Sequence, residues 1–395
     1  MNNKKLTGIG GRTKINSLLL ITVLALSFGC HKSNVNEKDL KNFSQVNLIA
    51  NSEEYNPLIV DKTLINAFGI AWTPGRVAWV NSVGGHVSEL YTADGDTIKR
   101  VNIPSSNTDS LDGLPCGIVN SGGKGFDLGN GPASFLFTGF EGVLSGWNPA
   151  RGATAKFIKH PSGASYTGLT IGASGGKNLI YAANFGLNRI DVWDTAFSLV
   201  HLSFVDPHLP QGYSPYNIQA VGNWLFVMYA ILGVDGHGVA GPGNGIVSVF
   251  NMDGTFVRRF ASRGTLNIPW GVTMAPGSFL EDQDMGDDGG NNHGGYVVKG
   301  NSGSINDGKK GNNEQKDSVI LVGNFGDGRI NVFSEDAHYL GQLQSHKQTI
   351  VIDGLWSLSF APSSSAPGTL DPTRLYFTAG PEKESDGIFG YLIKL

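Results

Sequence analysis

A three-residue opener recurs six times along the chain, and its spacing constrains the fold more than any other feature. It pairs a polar or aromatic residue with Gly or a small polar residue, then an aliphatic one. The six copies are Phe68-Gly69-Ile70, Cys116-Gly117-Ile118, Thr167-Gly168-Leu169, Tyr216-Asn217-Ile218, Trp270-Gly271-Val272 and Trp356-Ser357-Leu358. Counted from the middle residue, the intervals are 48, 51, 49, 54 and 86 residues. Setting aside 281–317 as an insertion of 37 residues brings the last interval to 49. A period near 50 over six units is the signature of a repeat architecture.

Each unit continues in the same way. Second apolar runs lie at 77–80, 135–138, 179–183, 225–229, 319–322 and 375–378. Third runs lie at 87–91, 142–147, 189–193, 245–250, 329–333 and 387–392. Fourth runs follow at 98–103, 155–158, 199–204, 256–260 and 339–343. Four short strands per unit make a propeller blade, whose two faces are covered only by neighbouring blades. The expected fold is therefore all-β, a six-bladed β-propeller. The sixth unit lacks a fourth run, and an unassigned strand-like run lies at 44–49. The N-terminal strand is expected to join the last blade and close the ring. A seven-bladed ring or an open pair of stacked sheets are the competing arrangements.

Composition agrees with many tight turns: 56 of 395 residues are Gly, and only 16% are charged. A net charge of −4 gives no basic surface, so no nucleic-acid partner is expected. The two cysteines, Cys30 and Cys116, cannot form a disulfide framework if Cys30 is modified. No metal or other cofactor is expected.

The N-terminus reads as an export signal. Lys4, Lys5, Arg12 and Lys14 precede a short apolar run at 18–26, too short to span a bilayer comfortably. Leu26-Ser27-Phe28-Gly29-Cys30 resembles a bacterial lipobox, with a small residue before the Cys that receives the lipid. The chain thus divides into a signal peptide (1–29), a lipidated tether (30–42) read as flexible, and a propeller domain (43–395). An ordinary signal peptide, or an anchor helix with an incidental Cys, is the competing reading. The insertion at 281–317 is rich in Asp, Asn and Gly, and is expected to be disordered. Asp282, Asp284, Asp287 and Asp288 lack the order of an EF-hand calcium loop.

Several strings are specific enough to suggest kinship. They include 324–333 (NFGDGRINVF), 240–245 (AGPGNG), 352–356 (IDGLW) and 375–381 (LYFTAGP), with Gly146-Trp147-Asn148-Pro149 and Pro215-Tyr216-Asn217-Ile218-Gln219. Together they resemble a family of uncharacterised exported bacterial six-bladed propellers, some with a PEP-CTERM tail. This chain departs from those members, with a strand-like end and the N-terminal lipid signal. The resemblance implies fold and export but no activity. A more distant architectural likeness is to NHL-repeat and gluconolactonase-like propellers.

In a propeller the first strands line the axis, and their starts meet the ends of the second strands on one face. Asn66, Phe68, Tyr166, Asn217, Trp270 and Trp356 fall at first-strand starts, and Asn81, Phe140, Asn184, Tyr229 and Asn324 at second-strand ends. His86, Arg189, Asp235, His237, Asp327, Arg329 and Glu382 fall in the adjoining loops. Amides and aromatic rings suit a sugar or a polar small molecule. The candidate ligand-binding residues are Asn81, Asn184, Asn217, Tyr229, Trp270, Asn324 and Trp356. Each has a structural alternative, since Asn caps turns and Trp packs between blades. No nucleophile, metal or phosphate-loop motif stands in a convincing context. The leading expectation is an envelope-anchored, monomeric binding protein for a glycan, small polar molecule or envelope protein. The alternative is a metal-dependent lactonase-like hydrolase or sugar lyase working on the same face.

Overall fold

The computed structural model describes residues 33–75, 77–92, 95–107, 110–282, 315–362, 371 and 373–395. The signal peptide, Cys30 and most of the 281–317 insertion lie outside the described residues.

Six sheets follow one another around an axis, in the order of the six units. Blade one comprises Ala67–Trp72, Ala78–Ser82, Val87–Tyr91 and Thr97–Asn102, and blade two Pro115–Asn120, Phe135–Gly139, Leu144–Trp147 and Lys156–Lys159. Blade three comprises Tyr166–Ser174, Lys177–Asn184 and Arg189–Trp193. Blade four comprises Tyr213–Val221, Trp224–Ile231, Ile246–Phe250 and Phe256–Ser262. Blade five comprises Pro269–Ala275, Val319–Asn324, Ile330–Ser334 and Tyr339–Gln342. Blade six joins Leu355–Phe360, Leu375–Ala379 and Ile388–Lys394 to Phe43–Ala50 from the other end of the chain.

That last pairing closes the ring as expected. It runs antiparallel from Phe43 opposite Lys394 to Ala50 opposite Ile388, with one bulge between Asn47 and Ile49. A closed ring leaves no open edge in the first-strand direction.

The seams explain why second strands read as continuous apolar runs. Side chains alternate along a strand, and both faces of a blade are covered. In blade four, Leu225, Val227 and Tyr229 pack against blade three, while Phe226 and Met228 pack against blade five. Six such seam clusters surround the ring, and a seventh apolar cluster occupies the axis.

Two elements differ from expectation. The run at 199–204 forms no fourth strand; after one bridge between Trp193 and Leu199 the chain leaves the sheet. Leu202 and Phe204 pack into the seam between blades three and four instead. Phe204 meets Tyr181 and Phe250 at ring distances of 6.1 and 5.4 Å. The run contains no proline, so it is this burial in the seam that takes it from the sheet; Pro207 and Pro210 only prevent a ladder from resuming after it.

The second difference concerns the stretch read as a flexible tether. From Asn34 onward it is bound to the propeller. Asn36 and Asp39 form a capping box on a short 3-10 turn, Glu37–Leu40, and Leu40 is fully buried. Asn34 and Asp317 exchange backbone-to-side-chain hydrogen bonds of 3.0 and 2.9 Å.

Candidate functional site

All six sequence openers coincide with a bulge in the first strand. Register shifts fall between Ala67 and Ile70, Pro115 and Gly117, Tyr166 and Gly168, Pro215 and Asn217, Pro269 and Val272, and Leu355 and Leu358. A bulge frees backbone groups from the ladder and redirects the strand. Here the middle residue of each opener meets the next blade. A Cβ on Gly69 would overlap the Cys116 carbonyl oxygen, and one on Gly168 would overlap Oδ1 of Asn217. A Cβ on Gly271 would lie 2.6 Å from the Trp356 carbonyl oxygen. Where the middle residue is polar it spans the gap: Asn217 Nδ2 donates to Trp270 O at 2.8 Å, and Ser357 Oγ donates to Phe68 O at 2.7 Å. The opener is thus the inter-blade joint of the ring.

The first residues of the openers fill the upper end of the axis, the face on which first strands begin. Phe68, Cys116, Tyr216, Trp270 and Trp356 form one cluster there with Phe185. Trp356 is sandwiched at 3.8 Å on both faces, by Phe68 and by Phe325. Trp270 meets Phe68 edge-on at 5.1 Å. Below this plug, first strands from all six blades line a cavity of about 30 Å³, including Gly69, Gly117, Leu169, Gln219, Gly271 and Ser359. That is room for about one water. A ligand approaching from above therefore meets an aromatic surface, not a passage.

Each of the seven candidate residues is at most 5% exposed. Asn81 donates to the carbonyls of Cys116 and Gly117. Asn184 donates to Asp191 and accepts from the Ser165 and Leu187 amides. Asn324 donates to Thr265 O and Asp327, and accepts from the Asn267 amide. Trp270 Nε1 donates to Thr167 O, and Trp356 Nε1 to Asn66 Oδ1. Tyr229 lies in the seam between blades three and four. Asn81, Asn217, Trp270 and Trp356 thus bond across blades, while Asn184 and Asn324 hold the segment entering their own blade. A ligand on the upper face reaches these buried side chains only through residues that cover them.

The covering residues come from the loops between second and third strands. Phe325 and Phe140 are half-buried and pack onto the plug. Glu384 sits in the corresponding turn of blade six. Its Oε2 accepts from Asn66 Nδ2 at 2.8 Å, and burial pushes its carboxyl above the ordinary range. Glu382, Lys383 and Glu384 all have left-handed backbone, with φ of 52°, 56° and 71°. Such residues cost about 1–2 kcal/mol each, and strained turns cluster at functional sites. The turn is pinned by Glu382 N donating to Asp353 Oδ2 and Asn66 N donating to Asp386 O. In blade two, Glu141 Oε2 accepts from the Leu114 amide at 3.0 Å. Its Oε1 is buried without a protein partner, and burial pushes this carboxyl up as well. His86 Nδ1 lies 3.1 Å from Gly113 O nearby.

Of the residues named on this rim, the sequence reading reached Asn66, Phe140, His86 and Glu382, and missed Phe325, Glu141 and Glu384. A usable signal existed for the first: Asn-Phe-Gly occurs at the second-strand ends of both blade three (184–186) and blade five (324–326), and both Phe residues enter the plug. Nothing in local spacing marks the two carboxylates. Among the described residues no group of three or more His, Cys, Asp or Glu is arranged to hold a metal ion.

No protein-family model matches the chain. Solved structures similar to it include virginiamycin B lyase from Staphylococcus aureus, at 10% identity and a TM-score of 0.48, covering 90% of this chain and 99% of that one. A gluconolactonase from Xanthomonas campestris aligns at 14% identity and a TM-score of 0.42, covering 83% and 86%. Proteins similar in sequence include several from Acanthamoeba polyphaga mimivirus. Uncharacterized protein R648 is 28% identical over 365 residues, spanning 89% of this chain and 80% of its own length. Uncharacterized protein L690 is 30% identical over 367 residues, spanning 89% of this chain and 86% of its own length. The chain belongs to the family of L690, whose fold here is a six-bladed β-propeller.

Proposed function

We propose that this protein is an exported envelope lipoprotein, monomeric and anchored through Cys30, whose upper face binds a small polar ligand of the sugar class. The observation that carries this reading is the pairing of a half-exposed ring with a carboxylate. Phe325 lies flat on the buried Trp356, so its outer face is a rigid apolar platform. Glu384 is tied to the same Trp356 through Asn66. A ring face packs against the C–H face of a sugar, while a carboxylate accepts from its hydroxyls. Because both groups are held by the plug, little ordering is needed on binding.

The test is calorimetry of the folded protein against a panel of bacterial envelope glycans. Any hit is repeated with Phe325→Ala and Glu384→Gln. Binding that both variants weaken at least tenfold supports the reading. No binding to any glycan, or binding indifferent to both variants, overturns it.

A hydrolase or lyase of sugars is the second reading, favoured by the raised carboxyls of Glu384 and Glu141, which resemble groups tuned for acid–base work. Turnover of a bound glycan, lost in Glu384→Gln with binding retained, would decide for it.

A further inference from the structure

We infer that the lower face of the propeller is the membrane-facing surface, so that the aromatic upper face points away from the lipid. The inference rests on the lipid-anchored reading of Cys30 and adds a fixed orientation to it.

Asn34 marks where the chain becomes fixed. It exchanges hydrogen bonds with Asp317, and its carbonyl accepts from Lys316 Nζ. Lys316 and Asp317 immediately precede Val319–Asn324, the second strand of blade five, which starts on the lower face. The next residues keep to that side. Lys394 Nζ, at the lower end of blade six, donates to the carbonyls of Asp39 and Lys41 at 2.8 Å each. Phe43 packs on Phe279, which follows the lower end of the first strand of blade five, at 5.0 Å. Phe140, Glu141, Phe325 and Glu384 all lie in second-to-third-strand loops, at the opposite ends of the strands.

Chain length turns this clasp into a constraint. Three residues separate Cys30 from Asn34, and the four steps between them reach at most about 14 Å when fully extended. A flexible tether through residue 42 would have allowed roughly three times as much. An acyl chain on Cys30 therefore holds the lower face within about one small-domain radius of the head groups.

A second, independent observation lies on the same face. Trp224 is 43% exposed at the tip of the first hairpin of blade four. Lys177, also exposed, occupies the matching tip of blade three. Trp is enriched at the membrane–water interface, where its ring sits among head groups, and Lys lies favourably beside anionic lipid. The partner that fits this surface is an anionic phospholipid membrane.

The test uses the full chain made in a bacterial host and reconstituted into phosphatidylcholine–phosphatidylglycerol vesicles containing a head-group nitroxide lipid. A fluorophore is placed at Asn223→Cys on the lower face or Asp235→Cys on the upper; both positions are exposed, whereas Cys116 is buried. Quenching about twofold or more stronger at 223 than at 235 is expected, because interfacial contact extends only about 5–10 Å. Mass spectrometry of the same sample separates the two ideas. A chain without acyl mass overturns the anchor and the orientation with it. An acylated chain quenched equally at both positions, or more at 235, overturns the orientation alone.

Discussion

The indole N–H of Trp356 donates to Oδ1 of Asn66 at 2.8 Å, joining the first strand of blade six to the entry of blade one. Asn66 holds a left-handed backbone at φ 49°, and its Nδ2 passes the connection on to Glu384. The seam of the ring and the rim of the candidate site therefore share one amide.

Trp356→Phe keeps a ring between Phe68 and Phe325 but removes the only hydrogen that reaches Oδ1 in this chain of bonds. A buried acceptor left without a donor costs about 1–3 kcal/mol. The expected result is a lower urea midpoint with an unchanged m-value. An unchanged midpoint would show that Asn66 finds another donor.

Glu384 gives stability a pH dependence whose sign is fixed by its environment. Burial raises its folded carboxyl above the ordinary value of 4.5. Its stabilising contribution is then complete below the unfolded pKa and is lost as pH rises through the folded one. Glu384→Gln keeps an oxygen to accept from Asn66 and removes the titration. Relative to wild type, the variant should gain stability between pH 4 and pH 7, measured by urea unfolding across that range. A constant difference over the range would place the carboxyl in ordinary solvent.

The inter-blade joint predicts a contrast between two glycines of one strand hairpin. A Cβ on Gly168 would overlap the Asn217 side chain, which is itself bonded to blade five. Overpacking of this kind costs about 1–3 kcal/mol. Gly175 has open space around it and only the left-handed φ of 56° against substitution, worth about 1–2 kcal/mol, whereas a Cβ on Gly168 would come within 1.9 Å of an oxygen. Gly168→Ala should lower the thermal midpoint clearly more than Gly175→Ala. Equal shifts would mean that the joint yields.

The joint also shows why much of the fold was legible and the site was not. A bulge that recurs at a fixed place in every blade imposes a small residue there, so six openers appear at a near-constant period. Ring closure was legible because the run at 44–49 had no other partner. The fate of 199–204 was hidden: its alternating pattern suits a strand, and only packing against Tyr181 and Phe250 takes it elsewhere. Asn81, Asn184, Asn217 and Asn324 stand where ligand amides would stand in a propeller. The ring needs amides at the same places, Asn81 and Asn217 for carbonyls of the next blade and Asn184 and Asn324 for the turn entering their own, and single-residue identity does not separate the two demands. Glu384 depends on a left-handed turn with no glycine in it, at Glu382, Lys383 and Glu384. Local propensity argues against such a turn.

Cys116 is the thiol of the inter-blade joint. Its one S–H donates to Tyr166 O at 2.7 Å, with Thr138 O 3.3 Å from the sulfur, and burial pushes its pKa well up. Thiolate is the reactive form. The folded domain should therefore leave Cys116 unmodified by a thiol reagent that labels it fully in denaturant. Labelling at a rate comparable to a free thiol would mean that the second and third blades open readily.

Lys394 tests whether the N-terminal clasp is held separately from the ring. The side chain is nearly fully buried, its Nζ bonds to the carbonyls of Asp39 and Lys41, and it lies 5.1 Å from the Phe43 ring. Lys394→Met keeps the aliphatic stem but removes the donor for both carbonyls. A lost charge-assisted bond costs about 1.5–3 kcal/mol, less whatever water recovers at this edge. Both carbonyl bonds reach the Asp39–Lys41 segment, and the remaining ion pair of Nζ, to Asp282 at 3.5 Å, is with an exposed side chain, so most of that loss should appear as local opening and little as global unfolding. Native-state trypsin should then cut faster after Lys38 and Lys41, while the global urea midpoint moves little. If cleavage there stays slow, Leu40 and Phe43 hold the clasp by packing alone. If the whole domain becomes protease-sensitive together, the clasp and the seal of blade six open as one unit.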